Sequence, residues 1–119
     1  MELLMEITRE IELDAPAEDV WRLLTDPEEL AGWVGDEVRE AAVERREATR
    51  TVTWTWAPHG VETRVEVELV ESGDHSVLRV VERGPFAAAR ACLVGDAWDD
   101  RLFGLEVRCL ANRFALIAR

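Results

Sequence analysis

Residues 5–13 alternate: Met5, Ile7, Ile11 and Leu13 fall on one face, and Glu6, Thr8, Glu10 and Glu12 on the other. A period of two predicts a half-buried strand. The period then lengthens. Pro16 stands where a helix start tolerates proline, and Ala17, Val20, Trp21 and Leu24 recur at i, i+3, i+4 and i+7. This predicts a short helix ending near Thr25 and Asp26. Asp26 is placed to cap a second one, with Pro27 in its first turn and Glu28 and Glu29 at the positive end of its dipole. Leu30 and Trp33 are its apolar residues, and Gly35 ends it.

From residue 38 to residue 83 the period of two returns. A weak strand is expected over 42–47 and a strong one over 51–56, with Val52, Trp54 and Trp56 opposite Thr51, Thr53 and Thr55. Pro58-His59-Gly60 is a turn signal. Val61, Thr63, Val65, Val67 and Leu69 then alternate with charged residues, Ser72-Gly73-Asp74 turns the chain, and a last strand runs over 75–83 up to Gly84-Pro85. Short strands joined by tight turns pair antiparallel. Residues 86–94 read as an apolar linker that Gly95 interrupts, covering something beneath it.

Residues 96–119 contain no proline and are rich in helix formers, so they are expected to form one helix of roughly 35 Å. At about 100° per residue, Trp98, Leu102, Leu105, Cys109 and Leu116 share one line. Phe103, Val107, Leu110, Phe114 and Ile117 form the adjoining flank. Only a narrow strip with Arg101, Arg108, Asn112 and Arg119 is polar. So wide an apolar arc calls for a concave partner, which the alternating strands supply. The expected architecture is α+β: an antiparallel sheet curved around a long C-terminal helix, with two short helices after the first strand. Asp99, Glu106 and Arg113 interrupt the arc at seven-residue spacing, either meeting solvent or, for Glu106, facing a cavity.

Length makes residues 1–119 a single domain able to bury a core without staples. The net charge of −11 argues against nucleic acid and anionic membranes as partners and suits a neutral or cationic one. No apolar run is long enough to insert in a membrane, and no leader is evident, so a cytoplasmic location is expected. Cys92 and Cys109 have neither metal nor redox spacing, and Cys109 reads as a small core residue. All 14 basic residues are arginine, which excludes a lysine Schiff base or lysine general base and suggests a GC-rich source. There is no tyrosine, and His59 and His75 fall in turns. No motif for a metal, a phosphate loop or a nucleophilic triad is present, so neither metal nor cofactor is expected.

The strand faces directed at the long helix define a candidate ligand site: Val52, Trp54, Trp56, Val65, Val67, Leu78, Val80 and Glu82 from the sheet. Trp98, Leu102, Leu105 and Glu106 face them from the helix, with Trp33 and Phe86 near a mouth. The plainer alternative is that the apolar members are ordinary core. Strand alternation aims Glu82 inward and helix phase aims Glu106 the same way. Two carboxylates in one apolar interior resist simultaneous ionisation, which is a setting for acid–base chemistry, so both are weak catalytic candidates. Were Glu82 a costly buried charge kept only for a ligand, Glu82→Leu should leave the melting temperature unchanged or raise it.

The segment IELDAPAEDVWRLLTDPEELAGWV, with Ala15, Pro16, Val20, Trp21, Thr25, Asp26, Pro27, Leu30 and Trp33, resembles the START-like, or SRPBCC, helix-grip superfamily. The hairpin TRVEVELVESGDHSVLRVVERG and the helix beginning near Trp98 extend the resemblance over most of the chain. The chain looks most like bacterial proteins similar to the activator of Hsp90 ATPase and to polyketide cyclases. The resemblance implies a hydrophobic pocket between sheet and long helix for a lipid- or polyketide-like molecule. It also implies two alternatives: a co-chaperone-type adaptor acting through its surface, or a cyclase-type enzyme using pocket carboxylates. Binding without catalysis is the favoured expectation. One departure is that a hairpin usual in the family has no counterpart here, since only residues 36–39 precede the next strand. That narrows the expected cavity and exposes a sheet edge, which a homodimer would cover and a charge-shielded monomer would leave open.

Overall fold

The computed structural model describes residues 4–35, 38, 42–46, 49–58 and 60–117, apart from the side chains of 45, 46 and 113–117. The element order is β1 (Met5–Leu13), α1 (Ala17–Thr25), α2 (Pro27–Trp33), β2 (Ala42–Arg46), β3 (Thr49–Trp56), β4 (Thr63–Ser72), β5 (His75–Gly84) and α3 (Ala88–Ile117). The strands form one five-stranded sheet in the order β1-β5-β4-β3-β2. Every neighbouring pair is antiparallel. The sheet curves around α3, the α+β helix-grip arrangement that the alternation predicts.

The first strand and the helical clip follow the local signals closely. Asp26 accepts from the backbone N–H groups of Glu28 and Glu29, and the Gly35 N–H closes the end of α2 on the Ala31 carbonyl. Trp33 is not near a mouth. It is buried, and its indole Nε1 donates to the Leu23 carbonyl at 2.9 Å, tying α2 to α1. The buried hydroxyl of Ser76 donates to the Ala15 carbonyl at 2.7 Å and fastens the start of the clip to β5.

Three expectations change. The segment that reads as a linker is the first part of α3, which starts at Ala88 and runs through Gly95. Glycine inside a helix costs about 1 kcal/mol, and here it leaves room for a side chain that crosses the helix. A Cβ at Gly95 would collide with the Arg9 guanidinium, and Arg9 crosses there to meet Asp99 at 2.8 Å. Second, β3 begins at Thr49 and β4 only at Thr63, so Val61 belongs to the connection. The earlier start of β3 brings Arg50 into the interior, where it pairs with Glu18 at 2.8 Å and lies 5.9 Å from the Trp21 ring.

Third, the concave sheet covers only one side of α3. Trp98, Leu102, Leu105 and Cys109 are buried as the helix phase predicts, whereas Phe103, Val107 and Leu110 are 66%, 47% and 41% exposed. At Arg101 and Arg108 the supposed polar strip is half buried, because the clip docks there, whereas Asn112 is exposed. Arg101 donates to the Val34 carbonyl at 3.0 Å, and Arg108 meets Glu29 at 3.0 Å. The readings made for His59, Arg113, Phe114, Leu116, Ile117 and Arg119 lie outside the residues and side chains described.

Candidate functional site

The sheet register assembles the site. Val65 of β4 lies opposite Trp54 on one side and Glu82 on the other, and Trp56 lies opposite Thr63. Trp54, Trp56 and Glu82 therefore project from the same sheet face toward α3, which contributes Trp98. The three indoles form a cluster with ring centroids 5.8 Å apart for Trp54–Trp56, 6.4 Å for Trp54–Trp98 and 6.1 Å for Trp56–Trp98. Arg101 closes it from one side, its guanidinium 5.0 Å from the Trp56 ring and 4.9 Å from the Trp98 ring. Such stacking supplies cation–π attraction while the cation keeps its hydrogen bond to Val34.

Glu82 is 3% exposed. Its Oε1 accepts from the Trp98 indole at 2.7 Å. Its Oε2 accepts from the Trp56 indole at 3.0 Å and from the Thr63 hydroxyl. A buried carboxylate is costly unless its oxygens are hydrogen-bonded, and here three neutral donors from three elements converge on it. The Thr63 side chain packs against Gly84, where a side chain would crowd it: a Cβ at Gly84 would meet the Thr63 methyl at 2.5 Å.

A cavity of about 180 Å³ adjoins this carboxylate at the end of the fold where β4 begins and α3 starts. Thr63, Glu82, Phe86 and Val94 line it, with Pro58, Val61, Pro85, Ala87 and Arg90. Of the fourteen residues drawn from strand and helix phase, Glu82 and Phe86 alone line this space. Val52, Trp54, Trp56, Val65, Val67, Leu78, Val80, Trp98, Leu102 and Leu105 are buried in the packed core. The centre between sheet and helix is filled by the indoles, and the cavity that Glu82 borders lies to one end of them.

Glu106 does not share this interior. It is half buried in a separate shallow groove beside Arg9, Glu10, Ile11, Asp99, Leu102 and Phe103. The expectation of two carboxylates in one cavity is corrected accordingly: at its position on α3, Glu106 faces the β1 edge. The cavity residues missed from sequence are Pro58, Val61, Thr63, Pro85, Ala87, Arg90 and Val94. Thr63 carried a signal, as a hydroxyl on a strand face otherwise made of valine and leucine. Val61 was read as the first residue of the alternating run but lies in the connection before β4, and the others sit in turns or in the segment read as a linker, where no periodicity assigns a direction. Elsewhere, burial pushes the Cys109 thiol up to about 11, as expected for a packed core cysteine. Among the described residues no group of three or more His, Cys, Asp or Glu is placed to hold a metal ion.

An antiparallel sheet gripping a long helix, with a carboxylate-floored cavity at one end, defines a helix-grip protein. The chain belongs to the family described as polyketide cyclase / dehydrase and lipid transport, whose model matches residues 5–91. Among solved structures, CalU16 from Micromonospora echinospora superposes with a TM-score of 0.64 at 21% identity, covering 89% of this chain and 81% of that one. An AHSA1-like protein from Rhizobium etli gives 0.63 at 22% identity, covering 87% and 81%. A point mutant of norcoclaurine synthase from Thalictrum flavum, solved with a transition-state analogue, gives 0.63 at 12% identity, covering 95% and 98%. At these identities the likeness concerns the fold. No curated protein matches the sequence.

Proposed function

We propose that this protein binds a small, mainly apolar molecule in the cavity beneath the start of α3. The observation that supports this most is the juxtaposition of a largely apolar space with a buried carboxylate at its edge. Glu82 holds three protein donors, and at the same time it borders the apolar space, where a binding site uses one polar anchor in an apolar wall to orient its ligand. The family description, which includes lipid transport and polyketide chemistry, agrees with an apolar ligand. The role assigned to Glu82 is recognition. Its oxygens are engaged by protein donors, and Glu106 is too differently placed to act with it.

Native mass spectrometry of protein purified from its natural host tests the reading. A small-molecule adduct is expected on the native protein and not on Val61→Trp, which fills the cavity from an exposed connection and should melt within a few degrees of the parent. Protein that carries no adduct, and whose NMR spectrum does not respond to toluene, overturns it. A second reading has its own observation. The filled centre and the exposed Phe103, Val107 and Leu110 favour an adaptor acting through its surface, and that reading takes over if the cavity binds nothing.

A further inference from the structure

The size and polarity of the cavity restrict what it takes, and this step rests on the binding reading above. Drug-sized ligands occupy about 300–1,000 Å³, while a cavity of about 150 Å³ holds benzene. At about 180 Å³ the space takes in one ring with small substituents, and the rest of any larger molecule would project past Arg90 into solvent.

The two ends of the cavity differ in sign. At the inner end Glu82 offers only acceptors. A carboxylate has about four acceptor positions; Oε2 receives two donors and Oε1 receives one, so Oε1 keeps an open position. At the outer end stands the exposed Arg90, in the first turn of α3. That turn carries no acidic residue, so its free N–H groups add to the positive potential around Arg90. A protonated amine would bring three donors to the one open position on Glu82, whereas a hydroxyl brings one. A hydroxyl at the inner end and an anion at the outer end satisfy both: the net charge of −11 favours a neutral or cationic partner at long range, but that field is screened, and at the rim the adjacent guanidinium dominates.

We infer that the ligand class is a single-ring hydroxy acid. Its hydroxyl donates to Glu82 Oε1, its ring lies against Val61, Phe86 and Val94, and its carboxylate meets Arg90. Titration calorimetry with 3- and 4-hydroxybenzoate, benzoate, phenol and toluene tests this, with the indole N–H resonances of Trp56 and Trp98 reporting occupancy at Glu82. One hydroxybenzoate isomer is expected to bind at least about tenfold more tightly than either benzoate or phenol, the value of one charge-assisted hydrogen bond. Arg90→Gln, an exposed substitution that leaves the core intact, should bring that isomer down to the affinity of phenol while toluene binding is unchanged. Equal affinities for hydroxybenzoates, benzoate and phenol overturn the hydroxy-acid class. If toluene still binds, the cavity reading survives that failure; if none of the five binds, both readings fall.

Discussion

Trp56 and Trp98 can only donate through their indole nitrogens, so the carboxyl group between them must accept. This makes Glu82 a structural keystone as well as a cavity wall. It joins β5 to β3, β4 and α3 through one side chain. Alternation along residues 75–83 suffices to aim Glu82 inward, but its donors come from 19 and 26 residues upstream and 16 downstream, which no local pattern reveals. The expected effect of Glu82→Leu therefore reverses. Removing the acceptor strands two indole N–H groups and a hydroxyl inside the core, at about 1–3 kcal/mol for each unsatisfied group. A loss of about 3 kcal/mol or more is expected in urea melts, with a smaller loss for Glu82→Gln, which keeps one carbonyl acceptor. A variant as stable as the parent would mean that the three donors are not held by Glu82 in solution.

Among the elements, α3 shows how packing overrides propensity. Its two interior glycines look alike in sequence and differ in surroundings. Gly95 lies under Arg9, and alanine there would push the guanidinium away from Asp99. At Gly104 the space is open: a Cβ added there would meet nothing within 4 Å. Gly104→Ala should therefore stabilise the protein by about 1 kcal/mol, the helix-propensity difference, as read from a thermal or urea melt. A loss on this substitution would place an unseen neighbour against that face. The start of α3 was hidden by the same ambiguity. Phe86 to Val94 has no polar positions regular enough to mark a helix, and Gly95 argues locally for a break.

On the scale of the whole molecule, the cluster of Trp54, Trp56 and Trp98 occupies the middle of the space between sheet and long helix. Indoles fill the middle of the grip, and the cavity beside Glu82 lies at one end of it. The grip also leaves Phe103, Val107 and Leu110 exposed at i, i+4 and i+7 on α3. A stripe of this kind is self-complementary when two such helices cross with two-fold symmetry. Analytical ultracentrifugation is expected to show a mass above the 13.5 kDa of one chain at micromolar concentration, and Val107→Glu to return it to the monomer. A monomer at every concentration rejects self-association through this stripe.

Local periodicity was enough to determine the strands, the capped clip, the buried line from Trp98 to Cys109 and the inward direction of Glu82. Each depends on neighbours within a turn or two of chain, and the segment from Ile11 to Val34 carried the family resemblance by itself. The location of the cavity, the separation of Glu106 from Glu82 and the exposure of the Phe103 flank were decided only in three dimensions. They depend on which strand passes α3 at each level, and on how much of the interior three indoles occupy. Periodicity assigns a side chain to a face. It does not say whether the space in front of that face is filled, open or shared.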